Sequence, residues 1–134
     1  MSNNFLSYNV ASSTSLSGVS QLIDQLNPIF VFLQEVTIST EQLSTQFGNN
    51  YSGICNIDPN YERKPGTAIL WKKEVEVEIT NVTPGRLQVL RSKVYGDFVN
   101  VYAPTGCQGE RMRRILFTQD LFDLIQSSNT PPII

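Results

Sequence analysis

Residues 29–35 read IFVFLQE, five apolar side chains in succession followed by an amide and a carboxylate. A run without polar alternation until its end fits a strand covered on both faces, as inside the sheets of α/β proteins. It falls far short of the roughly 20 residues that a membrane-spanning helix needs. Glu35 therefore stands at the tip of a buried, rigid element. Taken alone, such a residue is either a solvated strand end or a carboxylate held in place for chemistry.

The neighbouring segments build an α/β alternation around that run. FLSYNVA, residues 5–11, reads as a strand. LSGVSQLIDQLNP follows, with Val19, Leu22, Ile23 and Leu26 at the spacing of one helical face and Asn27–Pro28 as the stop. A second, shorter helix spans about Thr40 to Phe47 and closes at Gly48 and Asn49, residues that easily adopt left-handed backbone. Beyond it the pattern turns to strands. YSGICNI and GTAILWK flank a polar loop, and EVEVEIT alternates Glu74, Glu76 and Glu78 with Val75, Val77 and Ile79, which implies one wet face and a guarded edge. RLQVLRSKV and DFVNVYA form two more strands, joined by a hairpin turn at Tyr95–Gly96. Residues 110–127 read as the longest helix, and TPPII as a loop feeding a new strand.

Composition narrows the function classes. The chain has 134 residues, 40% hydrophobic and 16% charged, which suits one domain with a buried core. A net charge of −2 and a pI near 5.0 provide no bulk basic field, so any phosphate contact must be local. Cys55 and Cys107 form neither a disulfide framework nor a metal-ligand spacing and point to a reducing compartment. MSNNFLSYNVAS lacks the basic and apolar regions of a secretion signal. With no histidine in the sequence, the usual general base near neutral pH is missing. No repeat or linker divides the chain, and its close on Pro132–Ile133–Ile134 reads as a cut inside a domain.

SYNVAS, LQEV, GTAILWK and VNVYAPTG each carry little alone. Together and in this order on the expected strands, they resemble the endonuclease/exonuclease/phosphatase superfamily, and within it most nearly the apurinic-type endonuclease domain of non-LTR (LINE-like) retrotransposon proteins. The resemblance implies an α/β fold: part of a four-layer sandwich, two mixed sheets face to face with helices outside, with residues 1–134 as the N-terminal portion of a single domain cut before its second half. It also implies a magnesium (or manganese) cofactor and a phosphodiester-cleaving site at one end of the sheets. The partner would be DNA in the full-length parent, with no membrane, and the location intracellular, with nuclear access for a DNA substrate.

Onto this chain the resemblance carries three site residues. Glu35 matches the metal-binding glutamate of LQE, Asn9 the first-strand asparagine beside the metal and phosphate, and Tyr102 a tyrosine near the scissile phosphate, with Pro104 and Gly106 shaping its loop. Ala11 stands where relatives often carry Asp or Asn. Each residue has a plainer alternative: a turn-forming side chain for Asn9, a wet edge aromatic for Tyr102. Arg111, Arg113 and Arg114 read as a solvated helix face rather than a phosphate contact. The Gly-Asp-x-Asn and Asp-His motifs of relatives do not occur, so a fragment inactive alone, exposing apolar surface and prone to aggregate, is the expectation. A phosphatase or phospholipase of the same superfamily, or a non-catalytic remnant or binding protein, are the alternatives.

Overall fold

The computed structural model describes residues 4–11, 16–58, 65–102, 119 and 133–134. The elements run β1 (Phe5–Asn9), α1 (Ser17–Leu26), β2 (Phe30–Val36), α2 (Thr40–Phe47), β3 (Tyr51–Asn56), β4 (Gly66–Lys72), β5 (Glu78–Thr83), β6 (Leu87–Ser92) and β7 (Gly96–Val101). The first four strands form a mixed sheet ordered β1-β2-β4-β3, and the last three an antiparallel sheet ordered β5-β6-β7. β1 and β2 are parallel because α1 carries the chain back across the sheet between them. Ile133 makes an isolated parallel bridge to Phe98, with its N–H on the Asp97 carbonyl and its own carbonyl accepting from Val99; the rest of TPPII up to Pro132 lies outside the described residues.

IFVFLQE is the interior strand that its composition requires, with both of its faces at work. Val31 and Leu33 join Val19, Ile23 and Leu43 in the core under the helices, while Phe30 and Phe32 meet Ile69, Leu90 and Phe98 between the sheets. Phe30 is fully buried, which at about 25 cal/mol per Å² makes it one of the larger apolar contributions. Its ring is edge-on to Phe98 with centroids 5.4 Å apart, a favoured aromatic geometry.

The helices follow their sequence signals, with two differences. α1 ends at Asn27, left-handed at φ 46, whose N–H bonds the carbonyl of Ile23. Of its apolar face, Leu26 is 41% exposed, and Leu16, just before the helix, is buried instead. α2 stops at Gly48, but in right-handed backbone (φ −66), so the left-handed close expected there does not form. What fixes α2 is its start: the Ser39 hydroxyl accepts from Gln42 N–H, and the Gln42 side chain accepts from Ser39 N–H.

The strand expected at EVEVEIT begins later. A turn in which Val75 N–H bonds the Lys72 carbonyl occupies its first half, and only from Glu78 does the chain pair with β6. The alternation survives the shift, since Val75, Val77 and Ile79 pack toward the inter-sheet core while the three glutamates are exposed. β5 is an edge strand, and charge there discourages pairing with other chains.

The β6–β7 hairpin turns through residues 93–95, not at Tyr95–Gly96. Gly96 pairs with Ser92 and has φ 94, the left-handed residue that closes a three-residue hairpin loop. The helix expected over 110–127, with Arg111, Arg113 and Arg114, lies outside the described residues apart from helical Gln119, as do Cys107, Pro104 and Gly106. Along the β1 and β7 edges the two sheets leave an open cleft of about 410 Å³, lined by Phe5, Phe32, Gln34, Phe98, Asn100 and Ile133 among others. Phe5 and Ile133, on this cleft, are 43% and 56% exposed. Among the described residues, no helix is long and apolar enough to cross a membrane.

Candidate active site at the end of the sheets

One end of the mixed sheet is polar straight across. Asn9, Gln34, Thr67 and Asn56 are register neighbours on β1, β2, β4 and β3 in turn. Beneath this row the sheets are joined by buried amides. Asn100 of β7, 2% exposed, donates to the carbonyls of Leu33 (3.1 Å) and Ala68 (2.9 Å) and accepts from Gln34 (2.9 Å). Asn56 donates to the carbonyls of Thr83 (2.8 Å) and Leu87 (3.2 Å). Buried polar groups are costly unless paired, so each such bond fixes one sheet against the other at this end. Thr67 Oγ1 is the exception, buried with no hydrogen-bond partner among the described residues.

Glu35 sits in this row as a β-bulge. Gln34 pairs with Thr67 and Val36 with Gly66, leaving Glu35 as the extra residue, with φ 57. In a regular strand Gln34 and Val36 would share a face. Here Gln34 turns toward Asn100 between the sheets, whereas Val36 packs under the helices with Leu33. The extra residue absorbs that reversal and turns the carboxylate out of the alternating pattern. Left-handed backbone costs an L-residue roughly 1–2 kcal/mol. Non-glycine residues in that conformation persist where the surroundings over-determine them, and they cluster at functional sites.

The carboxylate meets Tyr102 beyond the end of β7. The Tyr102 hydroxyl has hydrogen-bonding interactions with Glu35 and with Arg86, and its pKa is raised, first by burial and then by the Glu35 charge, with Arg86 opposing. Arg86 precedes β6 directly, accepts the Tyr102 N–H on its carbonyl (2.8 Å), and places its guanidinium 4.7 Å from the centroid of the Tyr102 ring. Nothing in the local residue pattern singles out Arg86, although hairpin register contains it. The pairs Ser92↔Gly96 and Leu87↔Val101 continue to Arg86 and Tyr102 once the turn is centred at residue 94.

Asn9 closes β1 one strand away. Its Oδ1 accepts from Ala11 N–H at 2.8 Å, a local turn around Ala11, itself left-handed at φ 53. Asn and Asp adopt that backbone more readily than Ala does. Of the three residues singled out in the sequence, Glu35 and Tyr102 are in direct interaction. Asn9 is the register partner of Gln34, Glu35's neighbour.

Magnesium takes oxygen ligands, commonly one or two carboxylates completed by waters and substrate oxygens. The Glu35 carboxylate and the Asn9 amide oxygen are donors of that kind. Among the described residues no group of three or more His, Cys, Asp or Glu converges, so the protein donors available there are few.

The chain is thus a two-sheet α/β fold with polar residues gathered at one end of its sheets. A family model described as the Endonuclease/Exonuclease/phosphatase family matches residues 6–134, and the chain belongs to that family. No curated sequence matches. Among solved structures, similarity is found to a D. rerio TDP2 humanized by 14 mutations, with a TM-score of 0.61 and 16% identity over 92% of this chain and 56% of that one. A truncated Caenorhabditis elegans TDP2 is similar at a TM-score of 0.59 and 19% identity, over 92% and 57%. D. rerio TDP2 complexed with a single-strand DNA product is similar at 0.61 and 19%, over 92% and 54%. At these identities the likeness is one of fold, and the chain spans little more than half the length of each of these three.

Proposed function

We propose that this chain is the N-terminal portion of a single domain whose parent is a metal-dependent phosphodiesterase, a DNA endonuclease of the retrotransposon type, and that the chain alone is inactive. The observation that carries the reading is Glu35, a carboxylate in strained left-handed backbone at the tip of a buried strand, facing a tyrosine hydroxyl. Family membership supports phosphoester chemistry, and the resemblance of LQEV and VNVYAPTG to retrotransposon endonucleases supports the finer assignment. The binding of single-strand DNA product by a structurally similar protein is in keeping with a DNA substrate.

In this reading Glu35 would hold the cation, with the Asn9 amide oxygen as the second protein donor. A bound magnesium ion would neutralise charge developing on the phosphate. The Tyr102 hydroxyl would serve as a hydrogen-bond donor to a phosphoryl oxygen. The net reaction adds water across a P–O bond and yields a phosphate monoester and a free hydroxyl. Groups supplied from outside this chain activate the water and protonate the leaving oxygen.

The test is nicking of supercoiled plasmid in magnesium by the full-length parent and by its Glu35→Ala variant. Nicking that the substitution reduces by two orders of magnitude or more is the expected result. Equal nicking by both removes Glu35 from the mechanism, and hydrolysis of inositol phosphates or sphingomyelin without nicking favours the phosphatase or phospholipase alternative.

A further inference from the structure

We propose that Arg86 is a positioning residue for Tyr102, holding the phenol so that its hydroxyl faces the Glu35 carboxylate. The inference deepens the phosphodiesterase reading and rests on it for its functional meaning, though the geometry stands independently. Three observations converge on the pair. The backbone bond from Tyr102 N–H to the Arg86 carbonyl extends the β6–β7 ladder by one step, so the two residues lie side by side across the hairpin. The guanidinium lies 4.7 Å from the centroid of the Tyr102 ring, within the range of a cation–π contact. The same guanidinium also has a hydrogen-bonding interaction with the Tyr102 hydroxyl.

Tyr102 needs such a restraint because it follows the last residue of β7 and is only half-buried. A side chain at the last step of a ladder has strand neighbours on one side only, which leaves it more rotamer freedom. Arg86 supplies a planar cation over the ring, and that contact is strongest in a single orientation of the phenol. Its positive charge also offsets the negative Glu35 charge around which the hydroxyl sits. Because the backbone carbonyl of residue 86 holds Tyr102 N–H whatever the side chain, substitution of Arg86 removes the side-chain restraint and leaves the ladder bond.

The experiment uses the 134-residue chain carrying isotope-labelled tyrosine, with the Tyr102 ring signals assigned by their loss in Tyr102→Phe. With Arg86 present, Glu35→Gln should shift the Tyr102 ring signals, since the hydroxyl faces that carboxylate. In an Arg86→Met background the Glu35→Gln shift should be lost, and in Arg86→Lys it should be partly restored. Urea unfolding of each variant separates lost positioning from lost folding, and Arg86→Lys carries the test if Arg86→Met does not fold. A Glu35→Gln shift of equal size in all backgrounds, or no shift with Arg86 intact, overturns the proposal. Manganese titration of the same samples reports separately on the metal reading: absence of binding defeats that reading and leaves the tyrosine comparison to decide the role of Arg86.

Discussion

Replacing Glu35 by glycine should destroy the site yet leave the protein more stable than replacing it by alanine. At φ 57 an L-residue bears about 1–2 kcal/mol of steric cost that glycine does not. Glycine in turn loses about 0.5–1 kcal/mol through the greater freedom of the unfolded chain. The carboxylate's interaction with Tyr102 disappears as well, so the comparison that isolates the backbone is Glu35→Gly against Glu35→Ala. Alanine loses the same carboxylate and keeps the Cβ. Glu35→Gly should exceed Glu35→Ala by about 0.5–1 kcal/mol, and with a urea dependence of about 2 kcal/mol per M its midpoint should lie about 0.3–0.5 M higher. Trp71, the single tryptophan, packs against the inter-sheet core and reports the transition by fluorescence. A Glu35→Gly midpoint at or below that of Glu35→Ala would refute the claim that the bulge stores strain to aim the carboxylate.

Other perturbations probe the supporting structure. Thr67→Val should raise stability by about 1 kcal/mol, because the buried Oγ1 has no partner to lose; destabilisation by urea unfolding would show that the hydroxyl is in fact bonded. Asn100→Ala should cost about 3 kcal/mol, since it removes the bonds to the Leu33 and Ala68 carbonyls and from the Gln34 amide between the sheets; a loss under 1 kcal/mol would show the amide network to be dispensable. Burial, with the Glu41 charge adding and a Thr40 hydrogen bond opposing, pushes the Cys55 thiol from 9.0 up to about 11. In a Cys107→Ser background, its reaction with a thiol reagent at pH 8 should therefore run about 100-fold slower than that of a free thiol. Because the folded-state value is raised, the stability linked to this thiol is present below pH 9 and is lost as pH rises through about 11. Reaction at the free-thiol rate would contradict the burial.

Much of the fold was legible because the hydrophobic periods are strong. IFVFLQE could hardly be anything but an interior strand, and the face of α1 fixed its orientation on the sheet. Misreadings came where local chemistry outweighed pattern. The alternation of EVEVEIT holds through its first half, but the turn at Lys72–Val75 delays pairing until Glu78. The start of α2 was written in Ser39 and Gln42, a capping box spaced as such boxes are. Glu35 could be singled out from its place at a strand tip, but not its bulge, since backbone sign at one residue leaves no trace in hydrophobicity. Arg86 was hidden because it reaches the site only through hairpin register, and a turn placed 1.5 residues off pairs Tyr102 with a different neighbour. The amides Gln34, Asn56 and Asn100 were invisible for a related reason: each has a hydrogen-bond partner in the facing sheet, which the pattern along its own strand does not reveal.

The most direct measurement is manganese binding to this chain, followed by the electron paramagnetic resonance signal of the free ion, for the natural sequence and for Glu35→Gln. Glutamine keeps the shape of the side chain and removes the charge a hard cation requires. The expected result is one binding site, weakened about tenfold or more by the substitution. Binding of equal strength in both proteins, or none in either, would contradict the claim that the bulge at the end of β2 holds Glu35 for a metal.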